Sequence, residues 1–202
     1  MVGKTSILTR YIQGKFIKID NRTVNTNCVN KNITLNGIVF DLNIWDTAGE
    51  EKYQALAPIF YRGADGAVII FDCTRKETFD RAEKWFKELK EFAETNTRIV
   101  LVGNKIDLPK INIKNEQAGE LAKKFDANFL EVSALTGRNV NEIFETLTSE
   151  IYEYKKKIKE EATNKFLEDS NNYSNSSKKK KIVINRSSRR YNQRNDSSFA
   201  CC

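Results

Sequence analysis

The chain predicts a doubly wound α/β fold, a mostly parallel sheet flanked by helices, on three observations. AVIIFD (67–72) and RIVLVGN (98–104) are short, nearly continuous apolar runs rich in β-branched residues, the form of strands buried on both faces. Helical spacing appears between and after them, through Ala82, Trp85, Phe86, Leu89, Phe92 and Ala93, and again through Ile143, Phe144, Leu147 and Ile151. Polar residues of distinctive chemistry follow the apolar runs, at the carboxyl ends of strands, where open α/β sheets bind ligands.

In chain order, Gly3-Lys4-Thr5 opens a helix that continues SILTRYI. IVFDLNIW (38–45) sets Ile38, Phe40, Leu42 and Ile44 against Val39, Asp41, Asn43 and Trp45, the period-two pattern of a strand. The runs at 67–72 and 98–104 follow, with a weaker strand, NFLEVS, at 128–133. This alternation of strand and helix implies right-handed crossovers between parallel strands. Beyond about residue 160 the apolar period fades into SNNYSNSSKKKK and RSSRRYNQRNDSS, which offer little to bury against the entropy of ordering. The expected division is a domain over 1–160 and a disordered polybasic tail over 161–202.

Composition excludes several classes. The chain has 202 residues and no histidine, so a Cys/His zinc site is impossible, and cysteines at 28, 73, 201 and 202 are too few and too unevenly placed for a disulfide framework. A reducing, cytosolic setting fits. No apolar stretch approaches the roughly 18 to 20 residues that cross a bilayer, and MVGKTSILTR is not a secretory leader. Residues 155–202 hold 13 of the 34 Lys and Arg but only five of the 27 Asp and Glu, so the whole +7 excess lies there. The body is close to neutral and offers no basic groove for nucleic acid.

G-K-[ST] entering a helix is the closing half of a phosphate-binding loop: backbone N–H groups face phosphate oxygens, Lys4 reaches the terminal phosphates and the Thr5 hydroxyl ligates Mg²⁺. The tripeptide alone is weak, and a chance occurrence at a helix N-terminus is the commoner explanation. Asp46-Thr47-Ala48-Gly49 follows the alternating strand, placing a carboxylate where it can hold a metal ion and a glycine where the chain can aim an N–H at phosphate. Asn104-Lys105-Ile106-Asp107 ends another strand. Asp107 can accept from the N1–H and exocyclic amine of guanine, which adenine lacks, while the Lys105 stem covers the ring. Ser133-Ala134 ends the next, offering an N–H toward guanine O6.

With these motifs the chain resembles the Ras-like small GTPases, most closely the endosomal branch of the Rab family, over roughly residues 1–155. The resemblance is carried by GKTS, by WDTAG at 45–49, by YRGADGAVIIFD from Tyr61 to Asp72, by NKID at 104–107, by VSA at 132–134 and by the Cys201-Cys202 pair. It implies nucleotide contacts from Gly3, Lys4, Thr5, Ser6, Phe16, Thr23, Gly49, Asn104, Lys105, Asp107, Ser133 and Ala134, with Mg²⁺ held by Thr5, Thr23 and Asp46. Glu50 stands at the position that orients the attacking water, and Cys201 and Cys202 at that of dual prenylation. The function implied is a switch that binds and hydrolyses GTP to regulate endosomal membrane traffic on the cytoplasmic face of membranes, cycling with the cytosol. Its partners would be GTP and GDP, effector proteins, an exchange factor, a GTPase-activating protein and the membrane, with no nucleic acid. The alternative is a non-catalytic GTPase-like scaffold with impaired nucleotide binding.

Four positions depart from the family pattern. The family loop reads G-x-x-x-x-G-K-[ST], so its opening glycine and the central strand before it would lie ahead of Met1, and a sheet short of that strand is expected. Glu50 replaces a glutamine; it can accept from water but offers no N–H to the developing charge. Cys28 replaces the phenylalanine of an effector-facing aromatic triad with Trp45 and Phe60. Leu135 replaces the lysine of Ser-Ala-Lys beside the base.

Overall fold

The computed structural model describes residues 1–18, 23, 26–47, 57–176 and 196–201, with the backbone alone at 57–58, 166–176 and 196–201. Two units emerge, Met1–Ile151 with Asn195–Cys202, and Tyr152–Arg194.

The first unit carries α1 (Lys4–Gln13), β1 (Asn27–Leu35), β2 (Ile38–Asp46), α2 (Ala57–Tyr61), β3 (Gly66–Asp72), α3 (Lys76–Phe92), β4 (Arg98–Asn104), α4 (Asn115–Lys124), β5 (Asn128–Val132), the start of α5 (Val140–Ser176) and β6 (Asp196–Cys201). The sheet order is β1-β2-β6-β3-β4-β5; β1 and β2 are antiparallel and every other pairing is parallel. The expected strands thus appear as β2 to β5, with boundaries shifted by a residue or two at most.

Burial explains the strand sequences. All seven residues of β3 and six of the seven in β4 are buried, as runs with helices on both sides require. In β2, Phe40, Leu42, Ile44 and Asp46 are buried while the alternate residues are not, the signature of a strand covered on one face. The β1–β2 turn is Asn36-Gly37, both at positive φ (51° and 78°), with Leu35 opposite Ile38. Such a two-residue hairpin twists with its strands only when both central residues take left-handed conformations, which Asn-Gly does at low cost.

Helix α3 buries Thr78, Ala82, Phe86 and Leu89, and its Phe86 ring stacks on Phe125 at 4.5 Å. Phe71 of β3 meets Phe79 edge-on at 5.1 Å. In α5, Ile143, Phe144, Leu147 and Ile151 are buried, and Phe144 stacks on Tyr11 of α1 at 3.8 Å, tying the last helix to the first.

Two findings depart from the tail read in the sequence. The helix begun at Val140 continues to Ser176, beyond the expected boundary at 160, and within the second unit it is polar, supported by the spaced pair Lys157–Glu161. This i, i+4 ion pair and the straight-chain residues around it support the exposed stretch at 156–165 without an apolar stripe. Asp196–Cys201 are not loose chain. They form β6, the parallel strand between β2 and β3, aligned from Asp41↔Asp196 to Asp46↔Cys201 and from Gly66↔Phe199 to Val68↔Cys201. The expected gap in the sheet is therefore filled, since the facing edges of β2 and β3 carry backbone donors and acceptors that need partners.

Candidate functional site

The site lies where strands β2, β3, β4 and β5 end. Gly3 precedes α1 at φ 97°, and a Cβ there would stand 2.6 Å from Asn104 Nδ2, so both conformation and space demand glycine. Lys4, Thr5 and Ser6 follow as the first turn of α1, half-buried. Their N–H groups form the helix N-terminus, which favours a bound anion.

Thr5 Oγ1 donates to Asp46 Oδ2 at 2.6 Å and lies 2.7 Å from Thr23 Oγ1. A hydroxyl has one hydrogen, and Thr5 gives it to the carboxylate, so Thr23 is the donor in the second bond. Asp46 is 3% exposed, and its other oxygen, Oδ1, has no hydrogen-bond partner among the described residues. Burial pushes the Asp46 carboxyl up, while the Thr5 hydrogen bond and the Lys4 charge pull it down. Three hard oxygen donors with one orphaned carboxylate oxygen fit an octahedral, oxygen-seeking cation of the Mg²⁺ type.

At the other end, Asn104 is buried and bridges two loops: Nδ2 donates to Val2 O at 2.9 Å, and Oδ1 accepts from Ala134 N–H at 3.1 Å. Lys105 adopts φ 71°, a left-handed backbone uncommon outside glycine and of the kind found at ligand sites. Its ammonium lies 2.6 Å from Asp72 Oδ2 and donates to Met1 O at 3.2 Å. Asp107 is exposed and accepts from Ser133 Oγ. Ser133 and Ala134 are buried. Their N–H groups do not point outward as expected: that of Ser133 goes to Arg138 O at 3.1 Å and that of Ala134 to Asn104.

Sequence reading missed two contributors. Asp72 ends β3 beside Asn104 at the end of β4; it also accepts from Thr74 N at 3.0 Å, Thr74 Oγ1 at 2.6 Å and Arg75 Nε at 3.2 Å. Although burial opposes ionisation, the hydrogen bonds from Lys105 and Thr74 hold its carboxyl below the usual range. Its place at a strand end was the available signal. Arg10 carried no motif at all; its side chain reaches Ala134 O at 2.9 Å.

Phe16 is half-buried beyond α1. Cys28 pairs with Trp45 across the β1–β2 ladder, and Trp45 lies 5.7 Å from Phe60, so the altered triad is brought together. Gly49, Glu50 and Cys202 lie outside the described residues, and Cys201 is described by its backbone alone. Among the described residues no helix is long and apolar enough to cross a membrane.

Fold and site together define an α/β domain with a helix N-terminus and a cluster of polar side chains at the ends of parallel strands. A family model described as the Ras family matches residues 1–153. Over 152 residues the chain is 38% identical to the Ras-related protein Rab2BV of Beta vulgaris, covering 75% of this chain and 71% of that one. It is 39% identical over 152 residues to the GTP-binding protein ypt3 of Schizosaccharomyces pombe, with 75% and 71% covered. The Ras-related protein Rab11C of Lotus japonicus is 36% identical over 152 residues, with 75% and 70% covered. The chain belongs to the Ras family and is a Rab-like small GTPase.

Proposed function

We propose that this protein binds GTP and GDP with Mg²⁺, hydrolyses GTP slowly, and acts through effector proteins as a switch in endosomal membrane traffic, held to the cytoplasmic face of membranes by prenyl groups on Cys201 and Cys202. Family membership supports a GTP-binding switch of vesicle transport, as Ras-family GTPases in general use Mg²⁺ with nucleotide and meet regulators and effectors. The observation that carries the reading is the convergence of Thr5, Thr23 and Asp46 on one point although they stand in three separate segments.

In this reading Thr5, Thr23 and Asp46 hold the cation, which when bound neutralises phosphate charge. Lys4 and the N–H groups opening α1 receive phosphate oxygens. Asp107 accepts from guanine N1–H and the exocyclic amine, and Lys105, fixed by Asp72, lays its stem on the ring. Gly49 and Glu50 complete the switch, Glu50 accepting from the attacking water. Exchange factors and GTPase-activating proteins would set its two states. The chain's own polybasic segment adds to two lipid chains, a combination that anchors stably where one chain does not.

The test is competition between GDP and ADP for the 202-residue chain in Mg²⁺ buffer, followed by single-turnover GTP hydrolysis. Asp107→Ala should cost about 3 kcal/mol of GDP affinity, since the guanine donors lose their acceptor. Equal GDP affinity in parent and variant rejects the base assignment. One observation favours the scaffold alternative: β6, from the far end of the chain, holds the central place between β2 and β3 where the family's first strand is expected. A stably folded chain with no GDP binding would decide for it.

A further inference from the structure

Arg10, on the last turn of α1, spreads its guanidinium over three backbone carbonyls. Nε donates to Ala134 O at 2.9 Å, Nη1 to Gly14 O at 2.9 Å and Nη2 to Leu135 O. The loop it grips turns through Gly137 at φ 87°, where a Cβ would stand 3.6 Å from Arg10 Cδ. A planar fork of N–H donors suits this task, because two carbonyls held at once fix an orientation as well as a distance.

In a trans peptide the C=O and the next residue's N–H point in opposite directions. Drawing the Ala134 carbonyl toward α1 therefore aims the Leu135 N–H away from α1. Drawing the Leu135 carbonyl the same way aims the Thr136 N–H outward, and that N–H does donate to Ser133 Oγ at 3.0 Å. Ser133 Oγ in turn donates to Asp107. With the N–H groups of Ser133, Ala134 and Thr136 committed, Leu135 has the N–H of this loop that is left without an acceptor among the described residues.

We infer that Arg10 is a positioning residue for base recognition: it aims the Leu135 N–H at the 6-oxo group of a purine and, through Thr136 and Ser133, steadies the Asp107 carboxylate that reads the adjoining edge. This rests on the guanine reading of the site. It also assigns to the backbone of Leu135 a contact that does not depend on the side chain at that position. Because the same helix presents Lys4 and Thr5 to phosphate, Arg10 links the two ends of the nucleotide through one rigid element.

The test uses the full 202-residue chain with Arg10→Ala and Arg10→Lys. Amide exchange at Thr136 should quicken by about tenfold or more in the alanine variant, with partial recovery in the lysine variant, which keeps the charge and N–H donors but not the planar fork. GDP is then set against 6-thio-GDP, whose sulfur is a weak acceptor. The parent's preference for GDP should shrink by about three- to tenfold in Arg10→Ala, the loss of one aimed hydrogen bond. A role confined to holding the fold would weaken both ligands alike and leave that ratio unchanged. A parent that distinguishes GDP from ADP, with an unchanged ratio of GDP to 6-thio-GDP in Arg10→Ala, overturns the role of Arg10 alone. A parent with no preference for GDP over ADP overturns the guanine reading and this inference with it.

Discussion

Lys105 and Asp72 join the ends of β4 and β3 through an ammonium and a carboxylate 2.6 Å apart, the carboxylate side chain being 2% exposed. The pair holds a left-handed Lys105 against the start of the chain, since the same ammonium also reaches Met1 O. Burial alone would raise the carboxyl, so its net depression comes from Lys105 and Thr74, which stabilise the charge.

A pH dependence follows. A carboxyl depressed in the folded state binds protons more readily when unfolded, so its contribution is fully present above the ordinary carboxylate pKa and is lost as pH falls through the folded value. Asp72→Asn should lower unfolding free energy at pH 7 by about 2 kcal/mol, as Lys105 loses a charged acceptor in a largely buried setting. The gap between parent and variant should narrow below about pH 4, the ordinary range for aspartate. Denaturant titrations at the two pH values check this, and a constant gap contradicts it.

Metal removal should act through Asp46. With Mg²⁺ present, Asp46→Asn should weaken GDP binding by about tenfold or more, since a neutral amide is a poor ligand for a hard dication. With chelator present, parent and variant should bind alike. A variant that keeps the full Mg²⁺ response would remove Asp46 from the ligand set.

The cysteines divide by environment. Burial, with Glu131 and Asp72 nearby, pushes the Cys73 thiol up to about 12, and the residue is 3% exposed. Thiolate is the reactive form, so Cys73 should resist iodoacetamide at pH 8 until the chain unfolds. Mass mapping of labelled peptides reads this directly, and rapid native labelling of Cys73 would contradict its placement.

Strand β6 is an unusual occupant of a central slot. Of Asp196, Ser197, Ser198, Phe199, Ala200 and Cys201, only Phe199 is a strong strand former, and the pairing with β3 spans three residues. Local preference and position conflict, so β6 should open far more readily than β3 or β4. Hydrogen exchange should show amides 196–201 protected, yet exchanging at least a hundredfold faster than those of β3. Exchange at the rate of an unstructured peptide would dismiss the strand. An apolar strand and glycine loop added ahead of Met1 should displace β6 and abolish its protection.

The proposed hydrolysis assigns the water-orienting position to Glu50. Glu50→Gln should change single-turnover GTP hydrolysis while leaving GTP affinity nearly unaltered, because in the proposed role this side chain acts on water and not on bound nucleotide. With a GTPase-activating partner the glutamine variant should be the faster, being uncharged and able to donate. Identical rates in both settings would exclude this position from orienting water.

The sequence by itself determined the strands that are buried on both faces, because burial leaves nothing but apolar residues at 67–71 and 99–102, and it marked the strand ends through the buried polar residues Asp46, Asn104 and Ser133. The β1 strand was not read from the sequence, since NCVNKNITL is an asparagine-rich edge without buried residues; the available signal was the Asn36-Gly37 turn, a local rule tied to backbone sterics. Tertiary structure alone decided the rest. Asp72 meets Lys105 across adjoining strands, Thr5 meets Asp46 from a position 41 residues away, and Arg10 reaches Ala134 over a separation of 124. No period or local propensity encodes such pairings, because their partners are set by the strand order of the sheet and not by distance along the chain. The seat of β6 belongs to the same class: its residues carry little strand preference, and the unpaired backbone edges of β2 and β3, which no local pattern reveals, supply the reason for it.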